Sequence, residues 1–446
     1  MKNNIKDNIK IGIVVHGPTI IDSGYAMKII DILSSFGEVE AILGGNIGKT
    51  AVIDASLENI IDISTRRLPS ESVKIFKEKS KDYIFLINYG NSQITGQTFG
   101  FKVFKNSFIN NGWKYPKFIQ IERPGEDNGS LISWNIFDFE YNDNSLDIST
   151  KNIINKIINE IAILFSLDIV DPHDILNKYF DNNDLALFED YIEFIKSNNE
   201  NNEYNYINIQ NDLDFEDKIV RDIRGVNPNE NIFVNGLVIG KSTSCKLKLI
   251  ATNGYITEIV GGVLNTNASQ KLGKVDLNKV IVKTGLLRKL KVTPRILEDS
   301  DIMSNNNNNN NCFKVAFVDN GFYDIYNLNS VDLAIAIGDD TTLIASDILY
   351  RFNIPIIGII NGNIDNVVLE GFQTKGSIII ELGDDLDNII GTLIFKELFS
   401  SKNIIKYEKN SYSNNFSSKH LFIEDFSKKI LKIVKNITSN YKLNYY

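Results

Sequence analysis

Two loops of this chain combine residue types able to handle a phosphorylated ligand. Gly338-Asp339-Asp340-Thr341-Thr342 follows a strand of alternating Ala and Ile and opens a helix. The next strand ends in Asn361-Gly362-Asn363-Ile364-Asp365. A right-handed crossover brings both loops to one sheet edge. Asp319 ends the preceding strand there, and Asp384 and Asp385 follow Gly383 at the end of the next one. Carboxylates beside the Thr341 and Thr342 hydroxyls at a helix N-terminus suit Mg²⁺ plus phosphate. They offer hard oxygen ligands for the cation and N–H and O–H donors for the anion. A purely local reading competes: Asp and Thr are ordinary residues at helix starts, so strand–loop–helix repeats place acids here without any ligand. Asp339, Asp340 and Asp365 are the metal candidates, and Thr341 and Thr342 are candidate anion contacts.

A second set of loops belongs to the first half of the chain. His16-Gly17-Pro18 and Asp22-Ser23-Gly24 follow the first strand, where α/β domains gather ligand contacts. A histidine near a strand end is more often structural than catalytic. In Glu122-Arg123-Pro124-Gly125-Glu126, Arg123 either clamps an anion or pairs with Glu122 or Glu126. Asn88-Tyr89-Gly90-Asn91-Ser92 is similarly ambiguous, but together these loops make one polar rim. Two segments mimic a P-loop and are rejected. Gly44 to Gly48-Lys49-Thr50 and Gly236 to Gly240-Lys241-Ser242 each place the first Gly one residue too late. A P-loop depends on fixed loop length to aim successive N–H groups at phosphates. Lys49 and Thr50 still stand as anion contacts at a helix N-terminus, against simple capping.

Short apolar runs alternating with helical patterns position these loops. Strands are expected at Lys10–Val15, Val39–Leu43, Tyr83–Asn88 and Lys117–Glu122. Helices are expected over Ala26–Phe36, Thr50–Ile61, Ser70–Lys79, Thr98–Asn110 and Ser149–Phe165. The span 182–230 turns polar and repetitive, most clearly at Asn198–Glu203, and reads as an insert or linker. Phe233–Ile239, Lys246–Thr252 and Tyr255–Val260 read as strands, the last two joined by a tight Asn253-Gly254 turn. Asn305–Asn311 marks a second linker. Beyond it, strands Lys314–Val318, Val331–Ile337, Ile354–Ile360 and Ser377–Leu382 alternate with helices Thr341–Phe352 and Leu386–Phe399, and Lys419–Asn436 closes the chain as an amphipathic helix. The expected layout is a Rossmann-like or flavodoxin-like α/β domain (1–181), a polar insert (182–230), a β-rich middle (231–302), an Asn-rich linker (303–312) and a second α/β domain (313–446).

At 446 residues the chain exceeds one ordinary core, which supports several domains. A net charge of -9 argues against nucleic-acid or membrane-surface binding. No apolar run approaches the ~18 residues of a membrane helix, and Ile11–Val15 is too short for a signal peptide. Cys245 and Cys312 cannot build a disulfide framework, and only His16, His173 and His420 are present, so a bound metal would be oxygen-ligated. The expected address is the cytoplasm.

His16-Gly17-Pro18 through Gly24-Tyr25-Ala26, Ala51–Ala55, Ile121–Glu126, Gly240–Ser244, Lys283-Thr284-Gly285 and Gly338–Thr342 resemble an uncharacterised family of methanogenic archaea. The resemblance covers most of the chain outside the Asn-rich inserts and implies a fold and lineage rather than an activity. It also implies Asp-Gly-Asp-x-Asp where this chain has Asn361, Asn363 and Asp365, and the lost charge weakens a metal site. Gly338–Thr342 is more distantly similar to the Gly-Gly-Asp-Gly-Thr loop of nicotinamide-nucleotide and lipid kinases, but lacks the second Gly. Three functions follow as expectations. One is nucleotide or phosphometabolite handling with Mg²⁺. The others are metabolite sensing without catalysis at His16, Asp22, Ser23, Lys49 and Arg123, and an interaction scaffold.

Overall fold

A computed structural model describes residues 9–45, 48–64, 68–135, 148–196, 218–223, 226, 228–234, 237–277, 280, 282–284, 293–297, 312–319, 325–361, 372–383, 386–408 and 417–446. Asn198–Glu203, Asn305–Asn311, Asp365, Asp384 and Asp385 lie outside the described residues, as does the side chain of Asp340.

The first unit runs β1 (Lys10–His16), α1 (Thr19–Asp22), α2 (Tyr25–Ser34), β2 (Glu38–Leu43), α3 (Lys49–Asp54), β3 (Ile61–Asp62), α4 (Pro69–Glu78), β4 (Tyr83–Asn88), α5 (Gln93–Ser107) and β5 (Lys117–Glu122). β6 (Ser130–Ser133), α6 (Ile148–Leu164), β7 (Asp168–Val170), α7 (Pro172–Tyr179) and α8 (Asn182–Lys196) complete it. The sheet order is β3-β2-β1-β4-β5-β6-β7, with β1 to β5 parallel and β6 antiparallel to β5. The parallel part follows the 3-2-1-4-5 order of dinucleotide-binding sheets, not the 2-1-3-4-5 order of flavodoxin. Alternation along the strands explains the two covered faces. Ile11, Ile13 and Val15 of β1 meet α1, α2, α3 and α6, while Val14 joins α4, α5, α7 and α8 on the other side. Because both faces are covered, the strands read as continuous apolar runs.

The first fifteen residues of the expected polar insert are helix α8, whose Phe188, Tyr191 and Ile192 are buried against α5 and α7. Its apolar residues are spaced for one helical face, and acids between them gave the stretch its polar composition.

The middle unit comprises β8 (Ile219–Ile223), β9 (Asn231–Val234), β10 (Leu237–Ser242), β11 (Leu247–Thr252), β12 (Tyr255–Val260), β13 (Gly262–Leu264), α9 (Thr266–Leu272) and β14 (Val282–Thr284). Two antiparallel sheets, β13-β10-β9-β14 and β12-β11-β8, share one core around Ile232, Ile239, Leu249 and Leu277. The expected single strand Phe233–Ile239 is instead two antiparallel strands, with Leu237 opposite Val234. The intervening sequence Asn235-Gly236 is the favoured hairpin pair, and it outweighs the continuous apolar pattern. Asn253 and Gly254 form the expected tight turn, with φ of 52° and 84°.

The last unit holds β15 (Cys312–Val318), β16 (Leu333–Ile337), α10 (Asp339–Tyr350), β17 (Ile356–Ile360), β18 (Ile378–Leu382), α11 (Asp387–Glu397), β19 (Ile404–Glu408), α12 (Ser417–Ile437) and β20 (Tyr441–Tyr445). Its sheet order is β19-β15-β16-β17-β18-β20, a parallel centre with an antiparallel strand at each edge. The edge strands went unread in the sequence because each is short and half polar.

The two α/β units meet through α3 and the end of α10. Arg351 grips Asp54 with both arms, Nε to Oδ1 at 2.9 Å and Nη2 to Oδ2 at 2.7 Å. The two side chains are only 2% and 0% exposed. Arg295 adds its backbone N–H to Asp54 Oδ1 at 2.9 Å and its guanidinium to Glu58 at 2.8 Å. A buried acid gripped by one guanidinium group and a backbone N–H meets the pairing condition for a desolvated ion pair.

Candidate functional site

The strand order reverses between β1 and β4, and doubly wound sheets have their ligand crevice at the C-terminal strand ends of such a point. His16, Asn88 and Glu122 end β1, β4 and β5, and they stand opposite one another in register. All three therefore share the sheet face toward α5, in phase with Val14, Leu86 and Gln120. Their side chains form one chain of hydrogen bonds. His16 Nδ1 lies 2.8 Å from Asn88 Oδ1, and Asn88 Nδ2 donates to Glu122 Oε2 at 2.7 Å. The Gly90 N–H donates to Glu122 Oε1 at 2.6 Å, and Gln120 Nε2 to Oε2 at 3.1 Å. Gln120 in turn accepts from Trp134 Nε1 at 3.2 Å and donates to the Gly96 carbonyl. The His16 ring stacks on Phe99 of α5 at 4.1 Å between centroids.

Helix α5 approaches this ladder closely because two glycines face it. A Cβ on Gly96 would sit 2.0 Å from the Glu122 carboxyl carbon, and one on Gly100 would sit 1.7 Å from Gln120 Oε1. Glu122 is consequently sealed from solvent, and burial pushes its carboxyl up to about 7. The hydrogen bonds from Asn88, Gly90 and Gln120 and the nearby Arg123 charge oppose that rise without cancelling it. A carboxyl that titrates near neutrality at a crevice is a mark of functional sites.

Two pairs of loops beside these strand ends lie close together. A Cβ on Gly48 would lie 3.2 Å from the Gly17 carbonyl, and one on Gly125 would touch the Tyr25 hydroxyl. Asp22 ends α1, and Ser23 turns its hydroxyl back onto the Ile20 carbonyl at 3.1 Å. Arg123 takes a positive φ of 52° and is held by three groups: the Gly90 carbonyl at 2.6 Å, Asn128 at 2.9 Å and Glu126 at 3.5 Å. It pairs with Glu126 rather than directly with Glu122. Lys49 and Thr50 turn toward the other α/β unit. The buried Lys49 places its ammonium 5.0 Å from the Tyr326 ring centre, and Thr50 hydrogen-bonds the Tyr326 phenol, whose pKa is raised by burial. At α3 the contact with Tyr326 of the second unit took both residues away from the solvent edge.

At the edge of the second sheet, α10 begins at Asp339, two residues earlier than expected, with Gly338 (φ 90°) as its N-cap. Asp339 therefore lies inside the first turn and does not act as a side-chain cap. Its Oδ2 accepts from the Asn361 N–H at 3.3 Å, which ties the β16 and β17 loops together. Thr341 Oγ1 lies 3.5 Å from the Asp319 carbonyl. Thr342 faces the core, with its methyl against Gly358 and its hydroxyl 3.5 Å from the Ala336 carbonyl. The buried Asp387 at the start of α11 also reaches this edge, its Oδ2 3.5 Å from where a Gly338 Cβ would stand. Among the described residues no group of three acids, histidines or cysteines is arranged to hold a metal ion.

Residues 13–402 match the family described as an uncharacterized protein conserved in archaea (DUF2117). The chain belongs to that family. It is also similar to the Uncharacterized protein MJ0065 of Methanocaldococcus jannaschii, 36% identical over 419 residues that cover 94% of this chain and 99% of the relative. No solved structure matches. The kinase likeness of Gly338–Thr342 finds no support in these comparisons. Among the described residues, no helix is long and apolar enough to cross a membrane.

Sequence reasoning named the loop holding Asn88 without assigning a role, took Glu122 only as a partner for Arg123, and missed Asp387. One signal for Glu122 was present. It falls in step with Phe118 and Gln120 on a strand whose alternate residues Ile119 and Ile121 are apolar, so it had to point inward.

Proposed function

We propose that this protein binds a small anionic metabolite, of the nucleotide or phosphorylated-metabolite class, in the crevice between the ends of β1 and β4. The observation that carries this reading is the hydrogen-bonded row His16–Asn88–Glu122, which ends at the point where the strand order reverses. Doubly wound sheets bind ligands at that point. Three glycines ring it with positive φ: Gly17 at 82°, Gly24 at 76° and Gly45 at 99°. Beyond each glycine and its two chain neighbours, no described heavy atom lies within 4 Å of where their Cβ atoms would be. Backbone N–H groups beside open space can approach a phosphate without steric cost. Helix α2 starts at Gly24 with no side-chain cap, so its first N–H groups and dipole add to the attraction for an anion. Asp22, Ser23 and Arg123 would border the ligand, and Arg123 would hold the β5 loop in shape as much as bind charge.

The test is thermal and chemical unfolding of the full chain with inorganic phosphate, nucleotides and sugar phosphates, with and without Mg²⁺. A ligand at a hundredfold over its Kd should add about 2.7 kcal/mol. His16→Ala should reduce that gain. If no compound shifts the unfolding transition, or if His16→Ala leaves a shift unchanged, the crevice is not the site.

A second reading has one observation behind it. The Asn361 side-chain oxygen is buried with no hydrogen-bond donor, beside the Asp339 carboxylate. A hard cation would satisfy that oxygen, and Mg²⁺ at the β16–β17 edge would then use Asp339 and Asn361.

A further inference from the structure

Helix α3 is built into the first unit and gripped by the second. Ala51 and Val52 pack into the core formed with Ile11, Ile13 and Val15 of β1. Thr50 and Asp54, four residues apart and so on one helix face, meet the second unit instead. Thr50 bonds the Tyr326 phenol through both its side chain and its backbone. Asp54 takes the two-armed grip of Arg351 at 2.9 and 2.7 Å. Tyr326 lies in the short 3₁₀ turn Ile325–Leu328, which packs with α10, and Arg351 caps the end of α10. The start of α3 meets the loop after β1. Gly48, its N-cap, approaches Gly17 so closely that a Cβ would stand 3.2 Å from the Gly17 carbonyl and 2.8 Å from Leu43 Cδ1. Gly17 directly follows His16 of the hydrogen-bonded row. The Gly44 N–H, at the end of β2, donates to the Val15 carbonyl at 2.8 Å. Packing this close leaves no slack, so a shift of α3 moves Gly17 with it.

We propose that Tyr326 and Arg351 of the second unit are positioning residues for the crevice of the first. By clamping α3 they hold Gly48 against Gly17, so that an anion meets a rim already in its binding shape. The inference rests on the crevice being the anion site proposed above, and it makes that site the joint product of both α/β units. The physical reason is preorganisation. A ligand held by backbone N–H groups binds most tightly when those donors need no ordering on binding. With the clamp loosened, part of the binding free energy goes into fixing α3. Affinity then falls although every group on the rim is unchanged.

The test is titration calorimetry of the full-length protein with inorganic phosphate, AMP and glucose 6-phosphate, with wild type and variants compared on whichever of the three binds. Arg351→Lys replaces the planar fork by a single ammonium that cannot grip both Asp54 oxygens. Tyr326→Phe keeps the ring beside Lys49 and removes only the hydroxyl, so it tests the same link if Arg351→Lys does not fold. Each should weaken binding about fivefold or more, the lower end of ordinary coupling between sites. Ile394→Val is the control for lost stability, because it loosens the core on the other face of the second sheet from α10. It should bind as the wild type does. Wild-type affinity in either folded variant overturns the positioning role and leaves the crevice reading intact. An equal loss in Ile394→Val does the same. A wild type that binds none of the three probes, or whose binding survives His16→Ala, overturns the crevice reading and this inference with it.

Discussion

Replacing Glu122 by Gln removes the ionisable group from the core while keeping its volume, and the effect should depend on pH in a calculable way. Burial raises the folded-state pKa from 4.5 to about 7. The unfolded chain loses the same proton near 4.5. A carboxyl whose folded pKa is raised stabilises the fold fully below pH 4.5, and that contribution falls away as pH rises to about 7. At about 1.4 kcal/mol per pH unit, the gap between the two values amounts to about 3 kcal/mol. Around the carboxyl, Asn88, Gly90 and Gln120 donate to it, Arg123 is the neighbouring charge, and His16 lies one residue further along the row. Urea unfolding from pH 4.5 to 8 measures the effect. Tryptophan emission is a suitable signal, since Trp113 and Trp134 are the only two tryptophans and both pack in the first unit. The stability of the wild type minus that of Glu122→Gln should fall by about 3 kcal/mol across this range. Parallel pH profiles would refute the reasoning. A difference that grows with pH would mean that the three donors outweigh burial and that the folded pKa lies below 4.5.

Asp54→Ala should cost about 1–3 kcal/mol, because the buried Arg351 guanidinium loses two charge-assisted hydrogen bonds and keeps only Asp347 as an acid partner. A loss under about 1 kcal/mol in urea unfolding would show that the α3–α10 contact is not held by this pair. Gly100→Ala should cost about 1–3 kcal/mol by driving a methyl group into Gln120. It should also shift Trp134 emission as the indole N–H loses its acceptor, so unchanged emission would argue against the close helix contact. Asp339→Asn should leave folding nearly intact and abolish any Mg²⁺-dependent stabilisation. Equal Mg²⁺ responses in the variant and the wild type would leave the β16–β17 loops without a metal role.

Strands β1, β4 and β5 and the helices between them were legible because local periodicity reports burial directly. A strand covered on both faces shows an unbroken apolar run, and an amphipathic helix shows its stripe, whatever lies around it. The Asn253-Gly254 turn was legible for the same reason, since its backbone preference acts within two residues. The crevice itself depended on long-range register. His16 and Asn88 are 72 residues apart and Asn88 and Glu122 are 34 apart, and only the pairing of β1, β4 and β5 puts them in one row. Gly96 and Gly100 look like weak points in a helix until the sheet beneath them is known. Lys49 and Thr50 showed the right residue types for an anion at a helix start, yet contact with Tyr326 of the other unit decided where they point. The sequence by itself determined which segments must be buried, because hydrophobic periodicity is local. Which polar residues those segments bring together, and so which carboxyl is forced to titrate near neutrality, was decided only by the tertiary structure, because hydrogen bonding and desolvation depend on neighbours that the chain order does not name.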